Sequence, residues 1–387
     1  MRVALVQDDI FLPSFGGGLK ANRFLLEQLA EAGHSCLALT RCLTNSRDGP
    51  RNLTEFQAET EKRQLVVRSP RDGVFEYSHA RVAVEAINLS SLQERADHIR
   101  RRLQSFKPDA VFVADDKRRY MLAAAVAAAP GRVIPLLQTI MHLPFGPIAI
   151  DLCTEQLQLM KSCPGIVVIS KYMQAYIHAH SNMNSLIIQP PVYGTSFPNF
   201  ANFQSGLVTM INPCPYKGVS IFCGLAKEFP GTEFAAVPTW GANDQVLSEL
   251  TELPNMRLLA PADNIEDILK HTRIMLVPSL WPESFGYVVP EAMARGIPVL
   301  AADLGGLPEA KLGVEYLLPV VAATRDGSTY TCPSQDIGPW VAALRELIED
   351  EPAYQSCSHR SREAALRFVT QTSIAPFEKL VAEVALG

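Results

Sequence analysis

The chain has 387 residues, 35 Lys+Arg and 40 Asp+Glu, for a formal net charge of −5. At roughly 150 residues per domain this length suggests two or three domains. Hydrophobic residues make up 48% and charged residues 19%, a balance that excludes a disordered chain, and the slight acidity argues against bulk nucleic-acid binding. The eight cysteines, at 36, 42, 153, 163, 214, 223, 332 and 357, include no C-x-x-C pair. They read as buried thiols in a reducing compartment rather than a disulfide framework or a zinc site. The longest apolar run, Met121–Pro130, is half a membrane span, and the N-terminus lacks the apolar region of a signal peptide. A cytoplasmic protein is expected.

In chain order, the apolar run 3–6 predicts a first strand. A Gly-rich stretch and a helix over Ala21–Ala32 follow, with Gly33 as a helix stop and Cys36–Thr40 as the next strand. This βαβ opening favours a parallel sheet covered by helices. The alternation continues with a helix near 91–105, a strand at 110–114, an Ala-rich helix near 120–129 and a strand at 132–138. Next come helices near 152–161 and 171–179, with strands at 165–170 and 186–190. The segment 190–206, rich in Pro, Gly, Asn and Phe, has no helical period and reads as a packed connection between domains. Strand–helix alternation then restarts at 207–211 and runs through strands at 233–237, 256–260, 273–279 and 298–303. Helices are expected near 218–228, 244–252, 264–270, 336–350 and 352–369, with a last one from about 376. The expectation is two doubly wound α/β domains, with ligands outside the C-terminal ends of the strands.

The densest signal is Pro282–Glu309, PESFGYVVPEAMARGIPVLAADLGGLPE. A strand ends near Ser279. A short loop then carries Glu283, Ser284, Phe285 and Gly286 into a helix over about 286–295, with Pro290 near its first turn and Gly296 and Pro298 as stops. A helix N-terminus at a strand's C-terminal edge suits an anion such as phosphate. Glu283 and Glu291 stand eight positions apart, so two carboxylates could accept hydrogen bonds from two parts of a long ligand.

This stretch resembles the E-x7-E signature of retaining glycosyltransferases of family 4, which have the GT-B fold. The likeness includes Ser279, Phe285-Gly286, Glu291-Ala292-Met293-Ala294, Gly296-Ile297-Pro298-Val299 and Gly305-Gly306. The resemblance implies two Rossmann-like domains facing a central cleft. The first would span 1–190 on the acceptor side and a linker 191–206, with a donor domain over 207–375 and helix 376–387 packing back on the first domain. It implies that Glu283 and the main chain of Ser284, Phe285 and Gly286 hold the donor sugar, and that Glu291 holds the nucleotide ribose.

Three further constellations fit the same expectation. Asn212–Gly218, NPCPYKG, follows the first strand of the second half and offers Lys217 to a diphosphate. The family has Arg five residues before this Lys-Gly, where this chain has Asn212, which donates hydrogen bonds but carries no charge. The glycines Gly16, Gly17 and Gly18 allow close approach to a phosphate or sugar. Their literal match to a dinucleotide fingerprint is weak, because nine residues separate them from the first strand. His142 stands just beyond a strand end and resembles the family histidine near the reacting carbon.

Asn264 and Ile265 fall where the family loop meets the nucleotide base. Ser170 reads as a helix cap, and Arg100–Arg102 and Lys117–Arg119 as solvated faces or as surfaces for an acidic acceptor or an anionic membrane. No metal or other cofactor is expected, and the chain has no D-x-D pair. The expected partners are a nucleoside-diphosphate sugar of UDP, GDP or ADP type and an unidentified glycan, lipid or small-molecule acceptor, with weak peripheral membrane contact as an option. A sugar-nucleotide epimerase or a non-catalytic sugar-nucleotide-binding protein on the same fold is the alternative, and the missing Arg at 212 is the best support for the latter.

Overall fold

The computed structural model describes residues 1–386 apart from 46–48, 195, 327 and 328. The chain forms two compact units, Met1–Pro191 with Ser373–Gly387, and Val192–Thr372.

The first unit opens with β1 (Arg2–Ile10), α1 (Gly17–Glu31) and β2 (Ser35–Arg41). Val3, Ala4, Leu5 and Val6 are all fully buried, the continuous apolar pattern of a strand covered on both faces. Helix α1 begins four residues earlier than its apolar period suggested, with Gly16 as its N-cap and Gly17 and Gly18 inside the first turn. The chain then forms α2 (Leu53–Lys62), β3 (Arg68–Arg71), β4 (Val74–His79) and β5 (Val82–Ile87), none of which the helical and strand periods anticipated. A local cue was present in Asp72-Gly73, both at positive φ, which turn β3 into β4. The regular pattern resumes with α3 (Leu92–Phe106), β6 (Ala110–Ala114), α4 (Met121–Ala128), β7 (Val133–Leu137), α5 (Thr154–Lys161), β8 (Val167–Val168), α6 (Lys171–Ser181) and β9 (Leu186–Ile187).

The strand order is β3-β4-β5-β2-β1-β6-β7-β8-β9. From β5 to β9 all neighbours are parallel, while β4 runs antiparallel to β5. The chain therefore builds outward from β1 in one direction and returns to lay β6 on its other side.

The second unit repeats the logic. It contains β10 (Leu207–Ile211), α7 (Val219–Glu228), β11 (Phe234–Val237), α8 (Asp244–Thr251), β12 (Met256–Leu258), α9 (Glu266–Leu269), β13 (Thr272–Val277), α10 (Val288–Met293), β14 (Val299–Ala302), α11 (Leu307–Ala310) and β15 (Leu317–Leu318). A hairpin, β16 (Thr324–Asp326) with β17 (Thr329–Thr331), and the helices α12 (Gly338–Glu349) and α13 (Glu351–Gln371) complete it. Its sheet is fully parallel, in the order β12-β11-β10-β13-β14-β15. Helix α10 is six residues long, shorter than the span of about 286–295 expected for it.

The segment expected to be an interdomain linker, 191–206, is instead largely part of the second unit from Val192 onward. Phe200 N–H donates to Arg295 O at 2.8 Å, Asn202 N–H donates to Tyr354 Oη at 3.1 Å, and Phe203 packs edge-on against Tyr354. Its aromatic residues are anchors, which is why the stretch lacks any helical period. The last helix, α14 (Ala375–Leu386), lies with the first unit. Phe377 is fully buried there, its ring 5.8 Å from that of Phe112 on β6.

Candidate functional site

In an open α/β sheet, ligands bind outside the C-terminal ends of the strands, where the strand order reverses. In the second unit that point lies between β10 and β13. The loop after β10 carries Asn212–Gly218, and the loop after β13 carries Pro278–Gly286. Their meeting is enforced by backbone contact. Leu280 and Trp281 N–H both donate to Tyr216 O at 3.0 Å. Gly218 has φ +83°, and a Cβ there would stand 1.9 Å from Pro278 O, so no other residue fits without moving the strand end.

This contact brings Lys217 to Glu283. Lys217 Nζ donates to Glu283 Oε1, and Ser279 Oγ donates to the same oxygen at 2.5 Å. The two charged side chains keep 20% and 16% of their surface exposed, enough for a ligand to reach them. From behind, Gly306 N–H donates to Glu283 O at 2.7 Å. A Cβ on Gly305 would lie 2.7 Å from Glu283 N, and one on Gly306 would lie 2.5 Å from Ser284 O. The glycine pair therefore lets the chain pass close behind the Glu283 turn.

Asn212 has a different task from a cation at the same place. It lies at the end of β10 with φ +60°, a conformation that Asn tolerates better than most residues. Its side-chain Oδ1 accepts from Gly241 N–H at 2.8 Å, and the residue is buried. It pins the loop after β11 against the loop that carries Lys217.

Phe285 is buried and its ring stacks on Phe368 at 5.7 Å, so only its main chain is left for a ligand. Gly286 has φ +97° and directs the chain into α10. Glu291 is buried within α10. Asn264 and Ile265 lead into α9, with Asn264 Oδ1 accepting from Glu266 N–H at 3.1 Å.

Arg295, which the sequence pattern did not single out, joins these two pieces. Its guanidinium is fully buried, donates to Glu291 O at 2.9 Å and to Glu266 Oε1 at 2.8 Å, and lies over the Phe197 ring. An Arg directly after the last apolar residue of a helix looks like a helix-end cation in sequence. Its structural role appears only once α9, α10 and 197 are in place. A second unforeseen group is aromatic: Tyr216 packs on Tyr330 of the hairpin at 5.0 Å and on Trp240 at 6.2 Å, and Trp281 meets Tyr330 edge-on.

In the first unit the corresponding reversal lies between β1 and β6. A Cβ on Gly18 would stand 2.8 Å from Gln138 Oε1, so the glycine run is a close approach to the loop after β7. That loop opens with a single 3-10 turn, Ile140–His142. Burial pulls the His142 imidazole down to about 4, offset in part by the Asp115 carboxylate and reinforced by Lys117. Its Nδ1 is buried and has no hydrogen-bond partner among the described residues. His142 is therefore neutral at pH 7. Ser170 caps α6, accepting from Met173 N–H at 3.0 Å.

Residues 212–350 match the family model described as "Glycosyl transferases group 1". Sucrose-phosphate synthase from Thermosynechococcus elongatus superposes with a TM-score of 0.68, covering 100% of this chain and 96% of its own at 14% identity. Anabaena HepE in complex with UDP-glucose gives a TM-score of 0.67 over 98% of both chains at 17% identity. The fold is GT-B. Within this GT-B chain, the segment matched by that model, 212–350, contains Lys217, Glu283 and Glu291. D-inositol 3-phosphate glycosyltransferase of Mycolicibacterium smegmatis is 36% identical over 164 residues, which is 40% of this chain and 34% of that protein. The chain thus matches about a third of the length of this curated relative.

Proposed function

We propose that this GT-B chain is a retaining glycosyltransferase that moves a sugar from a nucleoside-diphosphate donor to an acceptor. The observation that carries the reading is the convergence of Lys217, Ser279 and Glu283 at the β10–β13 reversal. Two of the similar structures hold UDP-glucose and ADP respectively, which supports a nucleoside diphosphate as the donor's leaving group.

In this reading Lys217 leaves Glu283 for the diphosphate and stabilises the charge that develops as the sugar departs. Glu283, still held by Ser279, then accepts hydrogen bonds from donor-sugar hydroxyls, joined by main-chain N–H groups of Ser284, Phe285 and Gly286. Glu291 holds the ribose, and the chain around Asn264 and Ile265 meets the base. Neutral His142 offers a hydrogen bond to substrate rather than a charge. Retention follows if the departing diphosphate takes the acceptor's proton on the same face of the sugar, a step that asks for positioning rather than for a covalent nucleophile. The lack of Arg at 212 is compatible with activity, because Asn212 is occupied in building the Lys217 loop.

The decisive experiment combines UDP-, GDP- and ADP-sugars with the purified chain. Donor binding is read by thermal shift, since a ligand of the folded state raises the melting temperature. Glu283→Ala is then expected to abolish sugar release or transfer while leaving nucleoside-diphosphate affinity near the native value. Unchanged turnover in that variant refutes the donor-sugar role.

A further inference from the structure

At the β1–β6 reversal the first unit gathers four basic side chains around two acids. The Asp8 carboxylate, near the end of β1, is 3% exposed. Arg41, at the end of β2, approaches it at 3.5 Å, Arg118, after β6, at 3.4 Å, and Arg95, on α3, at 3.9 Å. Tyr120 Oη donates to it at 2.9 Å. Beside it, Lys117 stands 3.6 Å from Asp9.

Three guanidinium groups thus converge on the single Asp8 carboxylate, within a chain whose net charge is −5. Several donors also lack acceptors. Arg95 is 5% exposed and held by Leu89 O and Ser90 O, yet its Nη1 has no hydrogen-bond partner among the described residues. Arg41 Nε is likewise buried, with no hydrogen-bond partner among the described residues. Arg118 forms no hydrogen bond among the described residues and keeps 43% of its side chain exposed. A buried donor left unmade is costly, more so when charged. A fold that needed only to neutralise Asp8 would not require three guanidinium groups. The crevice is also where an open α/β sheet takes its ligand.

We infer that Arg41, Arg95 and Arg118 form an anion subsite that holds a phosphate or carboxylate group of the acceptor. Planar guanidinium groups favour such oxyanions through paired, charge-assisted hydrogen bonds. Asp8 sets the spacing of the three arginines, and the exposed side of Arg118 is the entrance. The inference rests on the transferase reading for the word acceptor, but the anion site itself does not.

The test uses inorganic phosphate as probe on the full chain at constant ionic strength, read by calorimetry and thermal shift. Saturable binding is expected in the native protein. An Arg41→Met/Arg118→Met variant is expected to bind phosphate about tenfold or more weakly, while Arg360→Met, which removes an exposed arginine of the second unit, binds it as the native chain does. Arg118→Met alone serves if the double variant fails to fold, since Arg118 is half exposed. Equal phosphate affinity in native and arginine variants overturns the proposal, as does absence of phosphate binding. A parallel titration with UDP, GDP and ADP separates the sources. If the arginine variants lose nucleotide affinity as well, the site serves the donor diphosphate and the acceptor assignment fails. If no nucleotide binds while phosphate does, the transferase reading fails and the anion site stands.

Discussion

Both sheets reverse their strand order beside their first strand, at β1–β6 and at β10–β13, and both put charged loops there. The chemistry of the two places differs. In the second unit one lysine meets one glutamate, both partly exposed, so the pair is close to balanced and open to exchange with a ligand. In the first unit a nearly buried carboxylate is surrounded by three arginines, one of them almost fully buried. The comparison teaches that one topology can supply either a reversible ion pair or a fixed cationic frame, depending on burial and on the number of partners.

The contrast is broken most directly by removing the two acids. Asp8→Asn leaves buried guanidinium groups without their counter-charge and is expected to cost about 3 kcal/mol or more in stability. Glu283→Gln, at a partly exposed pair, is expected to cost far less stability, yet to lower sugar transfer by about 10²–10³-fold. Urea unfolding and turnover measured on both variants check this crossing pattern. Equal stability losses would show that the two sites are not different in kind.

Gly218→Ala sharpens the account of how the second site is assembled. Positive φ alone costs about 1–3 kcal/mol, and the clash with Pro278 O adds to it. Equilibrium unfolding should register the loss, and nucleotide affinity should fall with it. Asn212→Arg is expected to cost about 1–3 kcal/mol, because Arg cannot accept from the partly buried Gly241 N–H. If that variant is as stable as the native chain and more active, the position is a dispensable cation site after all.

The smaller effect concerns His142 in the first unit. Its folded pKa is lowered from 6.5 to about 4, so below pH 6.5 the unfolded chain takes up a proton that the folded chain refuses. Stability contributed by neutral His142 is therefore full above pH 6.5 and is lost progressively as the pH falls toward 4. His142→Gln should flatten this part of the stability–pH curve, measured by urea unfolding between pH 4 and 7. An unchanged curve would mean that the imidazole is not desolvated as described.

Much of this molecule is written locally. The apolar runs at 3–6, 110–114, 207–211 and 298–303 announce buried parallel strands, and the helices between them follow from apolar spacing. The same local patterning placed Lys217 and Glu283 at strand ends, whereas Gly17 and Gly18, expected in a loop, fall inside the first turn of α1. Asp72-Gly73 marked a hairpin within a stretch that otherwise lacked a clear period. What local pattern could not reveal is partnership. Asp8, Arg41, Arg95 and Arg118 span 110 positions of sequence and meet only because β1 lies between β2 and β6. Asn212 reads as a missing cation until its bond to Gly241 is seen, and Arg295 reads as a helix-end charge until Glu266 and Phe197 close around it. Side-chain period reports which face of an element is buried; strand order and loop packing, set by contacts distant in sequence, decide what each buried charge will face.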